Sequence, residues 1–138
     1  MAKRVSAGQN VRARVTFKHM GEGEDFQLSF GVCPAGLLPA GTRFPFQDPD
    51  SRCRFVAENR RFYVTESQGW LKSGPYDIIG PLPDTEPGRD NKLDAFIILQ
   101  VFRSGKWKTV DTFWDDDIYV REDIVEESEY KGLTATFA

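Results

Sequence analysis

The chain has 138 residues, 40% of them hydrophobic, with eleven Phe, four Tyr and three Trp. That length suits one domain with a core of its own, without metal or disulfide staples, and the aromatic content excludes an intrinsically disordered chain. A net charge of -3 argues against nucleic acid as a partner, and no apolar run has signal-peptide or bilayer-spanning length, so no membrane insertion is expected.

Residues 1–10, "MAKRVSAGQN", read as a basic arm in which Lys3 and Arg4 are interaction candidates. Strict alternation follows: Val11, Ala13, Val15 and Phe17 share one parity against Arg12, Arg14, Thr16 and Lys18, the period of a half-buried strand. "HMGEGEDF" supplies a loop with Gly21 and Gly23, after which Phe26, Leu28, Phe30 and Val32 resume the alternation. Residues 34–52 hold Pro34, Pro39, Pro45 and Pro49 with Gly36 and Gly41, which predicts a long crossing loop.

"RCRFVAENRRFYVTES" reads as two short strand-like runs, around Phe55 and from Phe62 to Thr65, divided at "ENR". "GPYDIIGPLP" predicts a short strand from Tyr76 to Ile79 closed by Gly80 and Pro81. "KLDAFIILQVF" is rich in branched and aromatic residues and predicts a central strand buried on both faces, a buried helix being the alternative. "RSGK" makes a tight turn through Ser104 and Gly105, and the run from Trp107 to Val120 completes the sheets.

The predicted sandwich domain thus covers residues 11–122, followed at 123–138 by an acidic extension with a short terminal strand. "REDIVEESEY" is a candidate for one helical turn, and Leu133, Ala135 and Phe137 alternate with Thr134 and Thr136 after Gly132. Such a segment adds to a sheet edge, its own or a neighbour's, with Leu133 and Phe137 filling pockets. The charge is polarised as well: residues 1–18 carry five cations and no acid, whereas residues 111–131 carry nine acids against Arg121 and Lys131. The two ends either lie side by side or recognise each other between copies.

The fold class expected is all-β: a single immunoglobulin-like antiparallel β-sandwich of seven or eight strands, with a jelly roll or small β-barrel as the alternative. The stretches "VRARVTFKHMGEGEDFQLSFGV", "VTESQGWLKSGPYDIIG" and "DDDIYV" resemble the cell-adhesion-related (CARDB-like) immunoglobulin-like modules of bacterial and phage surface proteins. Those modules usually occur as repeats in exported chains, whereas this sequence starts at its own methionine. The resemblance therefore implies a free-standing, non-enzymatic structural or interaction subunit, such as a phage capsid decoration or tail protein. Its partners would be other protein subunits, self or a capsid or tail lattice, and its location a virion or a cytoplasmic assembly.

Catalytic chemistry has few candidates. His19 is the one histidine and falls at a strand end beside a glycine loop, where anchoring the loop is a better reading than general base. Cys33 lacks an evident base to activate it, and Cys33 and Cys53, paired or free, read as packing residues rather than a disulfide framework. "GEGEDF" lacks the third glycine and the flanking elements of a phosphate loop. Asp115, Asp116 and Asp117 are the metal candidates, with calcium as the ion, but consecutive residues of a strand face opposite ways and converge only if the backbone turns there. A solvated bend or a charge-protected edge is the plainer reading. Trp70, Trp107 and Trp114, with Tyr63, Tyr76 and Tyr119, supply either core or a surface. Two or more of the tryptophans exposed on one face would favour a binding patch, and a carbohydrate-binding module that uses exposed Trp and Tyr with calcium assisting, and takes a glycan as partner, is the alternative function.

Overall fold

Most of the architecture follows from which residues alternate and which do not. The computed structural model describes residues 3–36, 52–122 and 131–137. Within them the strands are β1 (Lys3–Val5), β2 (Asn10–Gly21), β3 (Glu24–Pro34), β4 (Arg54–Val64), β5 (Ser67–Pro81), β6 (Lys92–Arg103), β7 (Lys106–Arg121) and β8 (Lys131–Phe137). A larger sheet has the order β1-β7-β6-β3-β4 and a smaller one the order β5-β2-β8. The two pack face to face as an all-β sandwich and neither closes into a barrel.

Period two places Val11, Ala13, Val15 and Phe17 of β2 in the core while Arg14 and Lys18 face solvent. The unbroken apolar run instead becomes the central strand of the larger sheet: β6 lies between β7 and β3, and both of its faces are covered. Leu93, Ala95, Ile97, Leu99 and Val101 point into the sandwich, and Phe96 and Ile98 join Cys33 in a second cluster on the outer face. That outer cluster depends on Gly31, because a Cβ there would stand 2.3 Å from Phe96 Cζ. The predicted "RSGK" turn is present, with Ser104 at φ 54° and Gly105 at φ 77°, the pairing that joins strands of right-handed twist.

Several expectations need amendment. The sheets are mixed rather than antiparallel, because β1 pairs parallel with β7 and β8 pairs parallel with β2. The cause is geometric: β7 ends where β2 begins, so a chain that crosses to the other sheet there must run in the β2 direction. The sandwich therefore extends beyond residues 11–122 to include both terminal strands. "ENR" does not divide β4; it forms a bulge opposite Ser29, with Asn59 at φ 59° and its N–H donating to Ser29 Oγ. β5 begins well before Tyr76, since its first half pairs with the end of β2.

Cys33 and Cys53 form a disulfide that joins the end of β3 to the residue before β4. By constraining the unfolded chain over a sequence separation of 20 residues it adds to the packing that was expected of these cysteines. The crossing loop and the candidate helical turn fall largely on residues 37–51 and 123–130, outside the described residues. No helix among the described residues is long and apolar enough to cross a membrane.

Candidate interaction surface

β2, β4 and β6 end, and β3, β5 and β7 begin, at one end of the sandwich. Of the exposed large hydrophobic side chains among the described residues, all but Ile79 gather towards that end: Met20, Tyr63, Trp70, Leu71, Phe102 and Val110. Trp70 is 67% exposed, Leu71 62% and Tyr63 60%. The cause is visible in the strand registers. Opposite Met20 the pairing of β2 with β5 slips between His19↔Leu71 and Gly21↔Ser67, and the extra residues of β5 carry Trp70 outward. At β7 the slip between Leu99↔Asp111 and Gln100↔Thr109 leaves Val110 without a cross-strand partner and turns it to solvent.

His19 organises the middle of this end. It is buried, its Nε2 lies 2.8 Å from the Glu22 carbonyl oxygen, and its ring meets Phe26 edge-on at 5.4 Å. Its ring nitrogen is thus held by a backbone carbonyl rather than by a carboxylate, which matches the loop-anchoring reading. Two clefts flank it. One, of about 150 Å³, lies between the sheets with Phe17, Phe26, Leu99 and Phe137 deep in it and Met20, Trp70 and Val110 around it. The other, of about 250 Å³, is bounded by Tyr63, Leu71, Ser73 and Tyr76. Beneath it Phe62 stacks on Tyr76 at 3.8 Å and Ser73 Oγ bonds the Tyr76 hydroxyl. Glu24 accepts both arms of the Arg103 guanidinium at 2.6 and 2.7 Å, and this pairing holds its carboxyl below the usual carboxylate range.

The residues singled out from sequence are scattered over the molecule. Trp70 belongs to the apolar end. Trp107 and Trp114 share the outer face of the larger sheet but each is half-buried, the first under Arg61, whose guanidinium carbon is 5.3 Å from a Trp107 ring centre, the second against Phe96. Two exposed tryptophans on one face, the arrangement that would favour a binding patch, are therefore not present. Lys3 donates to the Gly132 carbonyl and Arg4 pairs with Glu122, so the basic N-terminal strand lies against the acidic C-terminal region within one chain. Leu133 and Phe137 are core residues of the same chain's sandwich.

At the aspartate run the backbone does turn, because residues 116–118 bulge opposite Asp94 and Asp117 has φ 53°. The side chains nevertheless part company. Burial of the Tyr119 phenol, with the charge of Asp115 as the smaller cause, pushes that phenol up. Asp116 accepts the Trp114 indole N–H at 2.7 Å, and Asp117 pairs with Arg89 at 3.5 Å. Asp94 accepts the Asp117 backbone N–H at 2.7 Å, and burial holds its carboxyl above the usual range. Among the described residues no group of three His, Cys, Asp or Glu side chains is arranged to hold a metal ion.

What sequence reasoning missed is the apolar end as a unit. Trp70 was singled out, but Met20, Leu71, Phe102 and Val110 sit in four different strands whose shared end only the topology reveals. Compared with known proteins, the chain matches no family model, no curated protein and no solved structure.

Proposed function

We propose that this chain is a non-enzymatic interaction subunit that joins other protein subunits through the turn end of its sandwich. An assembly of the virion-surface type, with the chain as a capsid decoration or tail component, is the setting implied by the sequence resemblance. The observation that carries the reading is the gathering of Met20, Trp70, Leu71 and Val110, exposed, around clefts whose floor is the core itself. Exposed apolar side chains scattered singly need no explanation, but a cluster with an aromatic anchor beside a pocket is the usual form of a protein-binding hot spot.

Light scattering of the purified chain over a range of concentrations tests it, alone and with candidate particles from its source. Self-association or particle binding is expected, and Leu71→Asp with Val110→Asp should abolish it while leaving the circular dichroism unchanged. A chain that stays monomeric, binds no particle and is indifferent to the double substitution would overturn the reading. Tryptophan fluorescence against a glycan panel is the parallel control. A glycan-dependent shift lost in Trp70→Ala would favour the carbohydrate-binding alternative instead.

A further inference from the structure

The smaller sheet turns a strongly basic face to solvent although the chain as a whole carries a charge of -3. Its three strands contain Arg12, Arg14, Lys18 and Lys72, and the one acid within those strands is Asp77. Arg12, Arg14 and Lys18 project from alternate positions of β2, the middle strand, and Lys72 stands directly across from Lys18. Arg60 of β4 reaches the same place, its Nε donating to the Asp77 carbonyl at 3.0 Å.

Asp77 is too little acid for this set. Its carboxylate takes the fork of Arg14 at 2.9 and 3.2 Å, and Arg14, Arg12 and Arg60 together hold its carboxyl below the usual range. Of these three guanidinium groups only Arg14 bonds that carboxylate, while Arg12 and Arg60 act on it through their charge. Among the described residues the Arg12 Nε is buried without a hydrogen-bond partner, and its guanidinium lies over Gly132, where the absence of a side chain leaves room for it. A desolvated cationic donor without an acceptor is costly, and an incoming oxyanion would supply one.

We propose that the solvent face of the smaller sheet binds an extended acidic segment of a partner polypeptide, with carboxylates on Arg12, Arg14 and the Lys18–Lys72 pair and an apolar side chain against Trp70. This deepens the interaction reading above by giving the partner a chemistry. The geometry favours a peptide over a long polyanion. Side chains at alternate positions of β2 are roughly 7 Å apart, the repeat of same-face side chains on an extended partner, and Arg12 to Lys18 spans roughly 20 Å, the reach of about seven residues. A longer polyanion would extend past this strip, outside the roughly 8 Å over which the basic field acts at physiological salt. The exposed threonines of β8, Thr134 and Thr136, border the strip with neutral hydrogen-bonding groups.

The test is fluorescence anisotropy of the full chain with a labelled nonapeptide of alternating Glu and Ser ending in Leu. A sulfated heparin oligosaccharide and a single-stranded oligonucleotide of equal charge serve as competitors. Binding at low salt that weakens steeply as salt rises is expected. Arg12→Gln with Lys72→Gln should lose about tenfold in affinity, whereas Lys106→Gln with Lys108→Gln, at the start of β7 in the larger sheet, should lose none. Circular dichroism establishes that each variant is folded. No peptide binding at low salt, or equal loss in both double variants, overturns the proposal. Tighter binding of the oligosaccharide or the oligonucleotide through Arg12 and Lys72 overturns it in favour of that polymer. Assembly through the apolar end is read separately, because Arg12→Gln with Lys72→Gln should leave self-association or particle binding intact, whereas Leu71→Ser with Val110→Ser, which adds no charge beside Lys18 and Lys72, should weaken that assembly and leave peptide binding intact.

Discussion

Gly31 shows how one residue type is fixed by its neighbours across the sheet. It lies in the middle of β3, opposite Phe55 of β4 on one side and Phe96 of β6 on the other. Glycine in a strand interior is ordinarily a weakness, yet here the missing side chain makes the space into which the Phe96 ring folds, with Phe55 meeting it edge-on at 5.6 Å and Trp114 stacking at 6.3 Å. An alanine Cβ would stand 2.3 Å from Phe96 Cζ and 2.8 Å from the Arg54 carbonyl oxygen, so both a ring and a backbone would have to shift. Gly31→Ala should therefore cost about 1–3 kcal/mol of stability, read from the midpoint of urea unfolding. Gly31→Ala with Phe96→Leu should cost less than the sum of the two single changes, because the smaller side chain relieves the ring clash while the backbone contact persists. Strict additivity would mean that the ring does not occupy this space.

β8 carries the corresponding argument for an element. Its three inward side chains, Leu133, Ala135 and Phe137, are buried against Val11, Ala13 and the rest of the core, and Phe113 of β7 meets Phe137 edge-on at 6.5 Å. The parallel register runs without a break from Val11↔Lys131 to Phe17↔Phe137, and Thr16 and Thr136 share a 3.0 Å hydrogen bond on the outer side. Removing residues 131–138 would strip one edge of β2 and open the core along its length, so the truncated chain should lose its cooperative thermal unfolding. Leu133→Ala alone should cost about 2–5 kcal/mol. A truncated chain that keeps a cooperative transition near that of the full chain would show that β8 lies outside the folding unit. The alternation of Leu133, Ala135 and Phe137 made this strand legible in the sequence, as the same pattern did for β2 and the unbroken apolar run for β6. Its partner and direction were not legible, because alternation says which face is buried and nothing about which edge is vacant. The slips in register were equally hidden. They set Trp70 and Val110 outward, and each depends on the residue count of two strands at once rather than on any local signal.

On the scale of the whole molecule, charge is what ties the pieces together and what acid should take apart. The ion pairs Arg14–Asp77 and Arg103–Glu24 link β2 to β5 and β6 to β3, and each lowers the carboxyl's folded pKa below its unfolded value. A carboxyl lowered in this way contributes stability that is present above its unfolded pKa of about 4 and is lost as pH falls through the folded value. Asp94 works in the opposite sense. Burial is the first cause of its raised pKa, and the charges of Asp116 and Asp117 add to it. Its contribution is therefore fullest below the unfolded pKa and is lost as pH rises through the folded one. Because Arg14, Asp77 and Arg103 are partly exposed and solvent screens both pairs, their effect belongs in the slope of stability against pH rather than in a large total. Melting temperatures measured from about pH 2 to pH 7 should fall on the acid side for the wild-type chain, and Asp77→Asn with Glu24→Gln should flatten that fall. Asp94→Asn should do the reverse, raising the melting temperature at neutral pH, where the buried charge and its repulsion are removed and the amide oxygen still accepts the Asp117 N–H. That gain should shrink as acid neutralises Asp94 in the wild type. If Asp94→Asn instead lowers the melting temperature at neutral pH, the carboxylate charge is stabilising the bulge at Asp116–Ile118, and the attribution of its raised pKa to burial fails.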